Sequence, residues 1–188
     1  MDRHQLHPPV TAKAIKLLQA GDIVQITGTI YTARDAAHKR LTETLSAGQP
    51  LPLDLNGQII YYVGPTPAKP GRVCGAAGPT TSGRMDPYTP ALLKQGLKVM
   101  IGKGRRSPEV VTAMQEFGAV YLGIVGGTAA LVAQAIKKVD VVAYPDLGPE
   151  AIHRFYVEDL ATIVLIDSMG RDLYASEPAK YALSHKIL

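Results

Sequence analysis

Three short segments of the chain carry the side chains that could do chemistry. The first follows an alternating apolar segment and contains Arg34 and His38, whose spacing of four residues places both on one face of a helix. An arginine there can bind a carboxylate through two parallel hydrogen bonds, and a histidine can transfer a proton near neutral pH. A solvated basic helix face is the plainer interpretation of the same spacing, and both interpretations stay open at this point.

The second segment, residues 78–86, places three hydroxyl side chains between two glycines and follows them with Arg84. Thr80 and Thr81 are two of these hydroxyl residues. Backbone N–H groups in such a turn can converge on an oxyanion, although an ordinary Ser/Thr-rich surface turn has the same composition. The surrounding segment from Gly64 to Pro90 is rich in Pro and Gly, and loops of that length are usually functional or disordered. We favour the functional interpretation.

The third segment places Lys103 between two glycines at the end of the apolar strand predicted at residues 99–102. Ligands gather at such strand ends in open α/β sheets, and glycines let a ligand approach the backbone closely. The spacing is not that of a P-loop, and no glycine at residues 123–127 completes the spacing of a dinucleotide fingerprint. Together, Arg34, Arg84 and Lys103 place positive charge around hydroxyls, which suits a small dicarboxylate or a developing enolate.

Composition limits what else the chain can supply to such a site. Of its 188 residues, 46% are hydrophobic and 19% are charged, which permits a packed core and excludes general disorder. The single cysteine, Cys74, excludes an internal disulfide framework and an all-cysteine cluster site within this chain. Neither a carboxylate cluster nor a metal-ligand spacing accompanies the three cations. The sequence therefore has the features of half an active site.

Charge and hydropathy bear on partners and location. The net charge is only +4, no long Lys/Arg run occurs, and the chain has no Trp and two Phe, which argues against a nucleic-acid partner. No apolar run has the length of a membrane-spanning helix, and the polar N-terminal residues lack the apolar stretch of a secretory signal. We therefore expect no nucleic-acid partner, no membrane association and a cytoplasmic location.

Apolar periodicity predicts the elements that position these segments. It predicts strands over residues 23–31, 59–63, 99–102, 120–125, 139–143 and 163–167, and helices over residues 12–20, 32–45, 108–117 and 128–138. Ser107 and Pro108 have the pattern of a helix start, and Gly118 that of a helix end. The alternation in the second half predicts parallel crossover units. The expected fold class is α/β, with one domain over residues 1–188, a mixed sheet and surface helices.

The chemistry-bearing segments, taken in order, resemble a known family. Residues 20–29, the Ala-Arg-Asp-Ala-Ala-His-Lys-Arg segment at 33–40, the Gly-Pro-Thr-Thr-Ser-Gly-Arg-Met-Asp segment at 78–86 and Gly-Lys-Gly at 102–104 carry the resemblance. They resemble the β subunit of class I, iron–sulfur-dependent fumarate hydratase, and the related β subunit of L-tartrate dehydratase. The resemblance runs from about Val10 to Tyr181.

The resemblance implies a swivelling β/β/α domain that corresponds to the C-terminal part of single-chain enzymes. It also implies a hetero-oligomer in which the cysteines of an α subunit hold a [4Fe–4S] cluster, whose open iron is a Lewis acid for the substrate. The implied reaction is the reversible hydration of fumarate to L-malate, a step of the tricarboxylic acid cycle. Dehydration of L-tartrate is the alternative reaction, and a non-catalytic anion-binding or scaffolding module is the alternative from another class.

The resemblance also implies roles for individual residues. Arg34, Arg84 and Lys103, together with Thr81, would hold the dicarboxylate. Thr80 would lie beside the carbon that gains or loses a proton, and His38 matches an active-site histidine. A free hydroxyl is a weak base, so neighbouring cations would have to favour the alkoxide of Thr80. His38 and a residue of the partner therefore stay open as the base.

Overall fold

The computed structural model describes residues 2–125 and 127–182, which fold around one mixed β-sheet. Its strands are β1 (Arg3–Leu6), β2 (Ile23–Thr32), β3 (Ile59–Tyr61), β4 (Val99–Gly102), β5 (Val120–Gly123), β6 (Ile136–Ala143) and β7 (Ile152–Ile166). Its α-helices are α1 (Ala12–Leu17), α2 (Asp35–Ser46), α3 (Thr89–Lys94), α4 (Pro108–Phe117), α5 (Ala129–Ala135) and α6 (Leu173–Ala182). Two short 3-10 turns cover Ser82–Met85 and Pro145–Glu150.

Pairing between β2 and β7 closes part of the sheet into a ring. The strand order is β1-β2-β3-β4-β5-β7-β6, and β2 pairs with β7 in addition. Strands β1 to β5 run parallel to their neighbours, whereas β7 runs antiparallel to β2, β5 and β6. The hydrogen-bonded circuit β2-β3-β4-β5-β7 therefore returns to β2, as in a small barrel.

Two apolar clusters lie on the two faces of these strands. The side chains of β3 alternate between them, because Ile59 and Tyr61 belong to one cluster and Ile60 to the other. The first cluster draws residues from all five strands of the ring and so fills its interior. The second cluster joins the outer face of the ring to buried residues of α2, α3 and α4, which are Ala37, Leu41, Leu92, Leu93, Val110, Ala113 and Met114.

The structure confirms the predicted α/β class and the mixed sheet. The helix start at Ser107 is confirmed, because its side chain accepts a hydrogen bond from the backbone N–H of Val110 at 3.4 Å. Gly118 ends α4 with a φ of 61°, a backbone conformation that favours glycine. Parallel pairing of β4 with β5 across α4 confirms one of the predicted crossover units. The prediction is wrong for the rest of the second half, because β7 pairs antiparallel with both β5 and β6. The swivelling β/β/α assignment stays a prediction.

Several element predictions need correction. The helix predicted over residues 128–138 ends at Ala135, because β6 begins at Ile136 and pairs with β7. The strand predicted at 163–167 is the end of β7, which begins at Ile152 and is 15 residues long. Its alternation is interrupted at Asp159, which has a φ of 50° and lies where the register with β2 shifts.

The other differences are elements that the sequence pattern did not predict or predicted too long. Strand β1 and helices α3 and α6 were not predicted, and α1 is shorter than its predicted range. Elements of four to six residues, such as β1 and α3, carry little local pattern and owe their stability to tertiary packing. Among the described residues, no helix combines the length and the apolar character that crossing a bilayer requires.

Candidate functional site

The predicted site residues lie just beyond the carboxyl ends of β2, β3 and β4. Arg34 follows β2 by two residues, and Lys103 follows β4 directly. Thr80 is held at the end of β3, because its backbone N–H donates to the carbonyl of Tyr62 at 2.7 Å. Thr81 pairs with Lys103 as an isolated parallel bridge. Three loops therefore converge at the carboxyl ends of the parallel strands, which is where α/β folds with parallel strands bind ligands.

Ser82 attaches the long loop to the end of β4. Its backbone N–H donates to the carbonyl of Lys103 at 2.9 Å, and the Lys103 N–H donates to Ser82 Oγ at 3.1 Å. The hydroxyl of Tyr121 donates to the same Oγ at 2.8 Å. Ser82 is buried, whereas the side chains of Thr81 and Lys103 are exposed. Ser82 thus anchors the backbone of Lys103, while the side chains of Lys103 and Thr81 are exposed.

Gly102 permits this close approach because it has no side chain. A Cβ atom at Gly102 would lie 2.0 Å from Ser82 Oγ and 3.0 Å from Tyr62 Cδ2. Both neighbours are buried, and Ser82 Oγ holds two hydrogen bonds that would be displaced. The glycine before Lys103 is therefore a packing requirement of the chain itself, in addition to any role toward a ligand.

We expect Gly102→Ala to lower the free energy of unfolding by about 1–3 kcal/mol, since an extra methyl group in a packed site forces its neighbours to shift. Urea unfolding measures this change. Gly83→Ala is the matched control, because its Cβ would have no neighbour closer than 3.7 Å. The control should change the free energy of unfolding by less than about 0.5 kcal/mol. Equal losses in both variants would contradict the packing argument.

Asp35, the first residue of α2, joins the two predicted substrate-binding arginines. Arg84 donates from Nε to Asp35 Oδ1 at 2.8 Å and from Nη2 to Oδ2. Arg34 Nε lies 4.0 Å from the same Oδ2, and its Nη2 lies 3.5 Å from Glu150 Oε1. The hydrogen-bonded Arg84 guanidinium holds the pKa of the Asp35 carboxyl below its usual value. Asp35 is therefore ionised at neutral pH and offsets one of the two arginine charges, while Glu150 lies beside the other arginine.

Comparison with known proteins identifies the family of this chain. The profile of the family described as Fumarase C-terminus matches residues 2–177. The chain belongs to this family.

The relatives of this Fumarase C-terminus chain include proteins named as fumarate hydratases and one named as a tartrate dehydratase subunit. Fumarate hydratase class I, anaerobic, of Escherichia coli (strain K12) is 44% identical over 153 residues, which cover 80% of this chain and 28% of that protein. Fumarate hydratase 1, mitochondrial, of Leishmania major gives the same identity and shares. A Methanocaldococcus jannaschii chain provisionally named L(+)-tartrate dehydratase subunit beta is 42% identical over 171 residues, 88% of each chain. The chain thus spans less than a third of the fumarate hydratases.

The site residues of this Fumarase C-terminus chain form two groups. Arg34 and Arg84 lie together around Asp35, whereas Thr80, Thr81 and Lys103 lie together around Ser82. Beside Lys103 opens a cleft of about 420 Å³, whose other lining residues are mostly apolar and include Ile124, Val125, Ile163 and Leu165. Lys103 is the cation on this cleft wall, while the arginine pair lies outside its lining.

His38 lies beneath the surface that carries these residues. Its side chain has 0% exposure, and its ring packs edge-on against Tyr62 with the centroids 5.2 Å apart. The Arg34 carbonyl accepts a hydrogen bond from Nδ1 at 2.9 Å, which leaves Nε2 as an acceptor without a partner among the described residues. Burial lowers the pKa of His38 to about 4. Direct proton transfer between this neutral imidazole and a substrate stays a prediction, which the burial disfavours.

Arg106 is a buried cation to which sequence analysis gave no role. Its Nε donates to Asp86 Oδ1 at 2.6 Å, and its Nη2 donates to Thr89 Oγ1 at 2.8 Å. The guanidinium also lies over the rings of Tyr62 and Tyr121, 5.3 and 5.1 Å from their centroids. This network ties the end of the long loop to the segment after Lys103. The only indication of this network in the sequence is the position of Arg106, between the end of a predicted strand and the cap of a predicted helix.

The residues described at 2–125 and 127–182 do not by themselves fit an iron–sulfur cluster. Within them, no group of three or more His, Cys, Asp or Glu side chains is arranged to hold a metal ion. Cys74 is half-buried, and its burial raises the pKa of its thiol, whereas a cluster ligand must be a thiolate. Cluster ligands would therefore have to come from another polypeptide segment.

Proposed function

We propose that this chain is the β component of an iron–sulfur hydro-lyase that reversibly hydrates fumarate to L-malate. The observation that carries the proposal is that Arg34, Thr80 and Lys103 lie at the carboxyl ends of neighbouring strands, with Arg84 paired to Asp35 beside Arg34. Membership of the Fumarase C-terminus family supports the reaction class. The relative named as a separate subunit beta, which this chain matches over 88% of its length, supports a two-component enzyme.

The arrangement of charges suits a substrate with a carboxylate at each end. The two arginines around Asp35 would bind one carboxylate in a planar, bidentate manner, and Lys103 would hold the other as a point charge. Thr81 would add a hydroxyl contact to that second carboxylate. Thr80 directly precedes Thr81 in the same loop and would handle the proton, with the neighbouring cations favouring its alkoxide.

We assign the remaining half of the site to an α component. A [4Fe–4S] cluster held by that component would supply a Lewis acid for the substrate hydroxyl. In this proposal residues 1–188 form one swivelling β/β/α domain, the enzyme is a cytoplasmic hetero-oligomer, and its reaction belongs to the tricarboxylic acid cycle. The part played by this chain is to bind the carboxylates, orient the substrate and move one proton.

Dehydration of L-tartrate is the second candidate reaction. The relative provisionally named L(+)-tartrate dehydratase subunit beta supports it, because the match covers 88% of both chains. L-Tartrate differs from L-malate by one added hydroxyl, so both substrates present two carboxylates to the same cations. Substrate comparison in the assembled enzyme separates the two reactions.

The deciding experiment co-expresses this chain with a cluster-bearing α component under anaerobic conditions and assays fumarate, L-malate and L-tartrate. We expect the complex to interconvert fumarate and L-malate, and the isolated chain to turn over none of the three. Faster turnover of L-tartrate than of L-malate would replace the first candidate by the second. A cluster-loaded complex that binds dicarboxylates without turnover would favour a non-catalytic anion-binding module.

We expect Arg84→Ala to lower kcat/KM of the complex for L-malate at least tenfold, because it removes a charge-assisted contact to a substrate carboxylate. Steady-state kinetics measures the change. Arg40→Ala is the matched control, since Arg40 forms a similar two-point pair with Asp146, at 2.8 Å for both contacts. The control should change kcat/KM less than twofold. A loss below threefold for Arg84→Ala would contradict its assigned role.

A further inference from the structure

The Asp35–Arg84 pair engages one particular edge of the guanidinium. A guanidinium has five N–H donors, and it can meet a carboxylate along the Nε–Nη edge or along the Nη1–Nη2 edge. Asp35 occupies the Nε–Nη2 edge of Arg84, with one oxygen on each nitrogen. Among the residues that the structure describes, no hydrogen bond engages Nη1 of Arg84, so the Nη1–Nη2 edge keeps N–H groups for a second carboxylate. Asp35 thus fixes which edge of Arg84 is presented to a ligand.

Asp35 itself is held in place by its position in the fold. It is the first residue of α2, and the next backbone N–H, from Ala36, donates to Glu150 Oε2 at 3.0 Å. Glu150 also lies 3.5 Å from Arg34 Nη2, so the helix start and Arg34 share one anchor. Carboxylates therefore stand behind both guanidinium groups and reduce the repulsion between them. The side chain of Asp35 is 33% exposed and that of Arg84 is 48% exposed, so about half of the Arg84 side chain stays accessible beside the bound carboxylate.

We propose that Asp35 is a positioning residue of the hydration reaction, which aims the free edge of Arg84 at a substrate carboxylate. The proposal rests on the proposed function, because it assumes that Arg84 binds a dicarboxylate. Asp35 does not contact the substrate in this assignment and acts through Arg84. The opposite role, in which Asp35 competes with the substrate for Arg84, predicts the opposite effect on affinity, so one substitution distinguishes the two.

The test replaces Asp35 by Asn in the complex with the cluster-bearing α component. The amide keeps the size of the side chain but loses the charge and one of the two acceptor oxygens that face Arg84. We expect KM for L-malate to rise about tenfold with kcat changed less than twofold, because the loss falls on binding of the substrate in both ground state and transition state. The dissociation constant of succinate, a dicarboxylate that is not hydrated, should rise by the same factor in calorimetry.

Asp146→Asn is the matched control, because it breaks the two-point Asp146–Arg40 pair outside the predicted site. It should leave KM and the succinate dissociation constant within twofold of the unsubstituted complex. An unchanged KM in Asp35→Asn overturns the proposal, and a lowered KM shows competition instead. Should Asp35→Asn fail to assemble, Asp35→Glu keeps the charge and displaces the carboxylate by one methylene, with a KM increase of at least threefold expected.

The succinate measurement also separates this proposal from the proposed function. A wild-type complex without turnover of fumarate, L-malate or L-tartrate would overturn the proposed function. Succinate binding that still weakens about tenfold in Asp35→Asn would then support the positioning role for an anion site of another purpose. Normal turnover with unchanged succinate binding in the variant would overturn the positioning role alone.

Discussion

Arg106→Leu is expected to lower the free energy of unfolding by about 3–5 kcal/mol, since it leaves a mostly buried carboxylate without its cation. The Arg106 side chain is 0% exposed and that of Asp86 is 13% exposed, with 2.6 Å between Nε and Oδ1. The substitution also removes the donors that satisfy Thr89 and the cation over two tyrosine rings. Urea unfolding at neutral pH measures the loss.

The neighbouring arginine provides the control. Arg105 is exposed, and its side chain makes one hydrogen bond within the described part of the chain, to the carbonyl of Tyr174 at 3.4 Å. Arg105→Leu should change the free energy of unfolding by less than about 0.5 kcal/mol. The double variant Arg106→Leu with Asp86→Leu should lose less than the sum of the single variants, because removing both charges avoids an unpaired ion. A loss below about 1 kcal/mol in Arg106→Leu would show that this network is not a main support of the site.

The second large effect is a pH-dependent loss of stability caused by His38. Its pKa is about 4 in the folded chain, below the value of 6.5 for a free imidazole, because burial disfavours the charged ring. Between these two values the unfolded chain binds a proton that the folded chain does not, so the free energy of unfolding falls as the pH falls. With about 1.4 kcal/mol for each pKa unit, the loss from this residue between pH 7 and pH 4 amounts to about 3 kcal/mol.

His38→Gln isolates this contribution, because glutamine does not titrate and its amide can still donate to the Arg34 carbonyl. The difference in free energy of unfolding between wild type and variant should shrink by about 3 kcal/mol from pH 7 to pH 4. Denaturant unfolding at several pH values measures it. His7→Gln, at an exposed histidine, should keep the wild-type pH dependence. Parallel stability curves for wild type and His38→Gln would show that His38 is accessible to solvent.

The prediction of the cationic site residues depended on local signals. Lys103 was recognisable because glycines flank it at the end of a continuous apolar segment, and that segment is β4. Arg34 was recognisable because it separates the alternating strand β2 from an uninterrupted helical segment. In both cases the hydrophobic periodicity of the sequence located the end of the strand. The carboxyl ends of parallel strands lie at one edge of the sheet, so both residues were expected there.

The residues that organise the site could not be predicted in the same way. Ser82 and Arg106 act through partners 21 and 20 residues away, and Asp35 acts through a partner 49 residues away. No hydrophobic periodicity in the sequence indicates such pairs, because the partners come together only when the strands pair in register. The first part of β7 could not be predicted either, because the register shift at Asp159 interrupts the alternation of its side chains.

Closure of the ring between β2 and β7 also has a consequence for the order of assembly. Thr162 donates its hydroxyl hydrogen bond to the carbonyl of Val24, 138 positions earlier in the chain. Contacts of such long sequence separation slow folding, because the entropy of a large loop is lost before the pairing stabilises it. During synthesis β2 is complete long before β7 leaves the ribosome, so its hydrogen-bonding groups await a partner. The nascent chain is therefore most exposed to strand-to-strand aggregation in that interval, and a chaperone would act most usefully then.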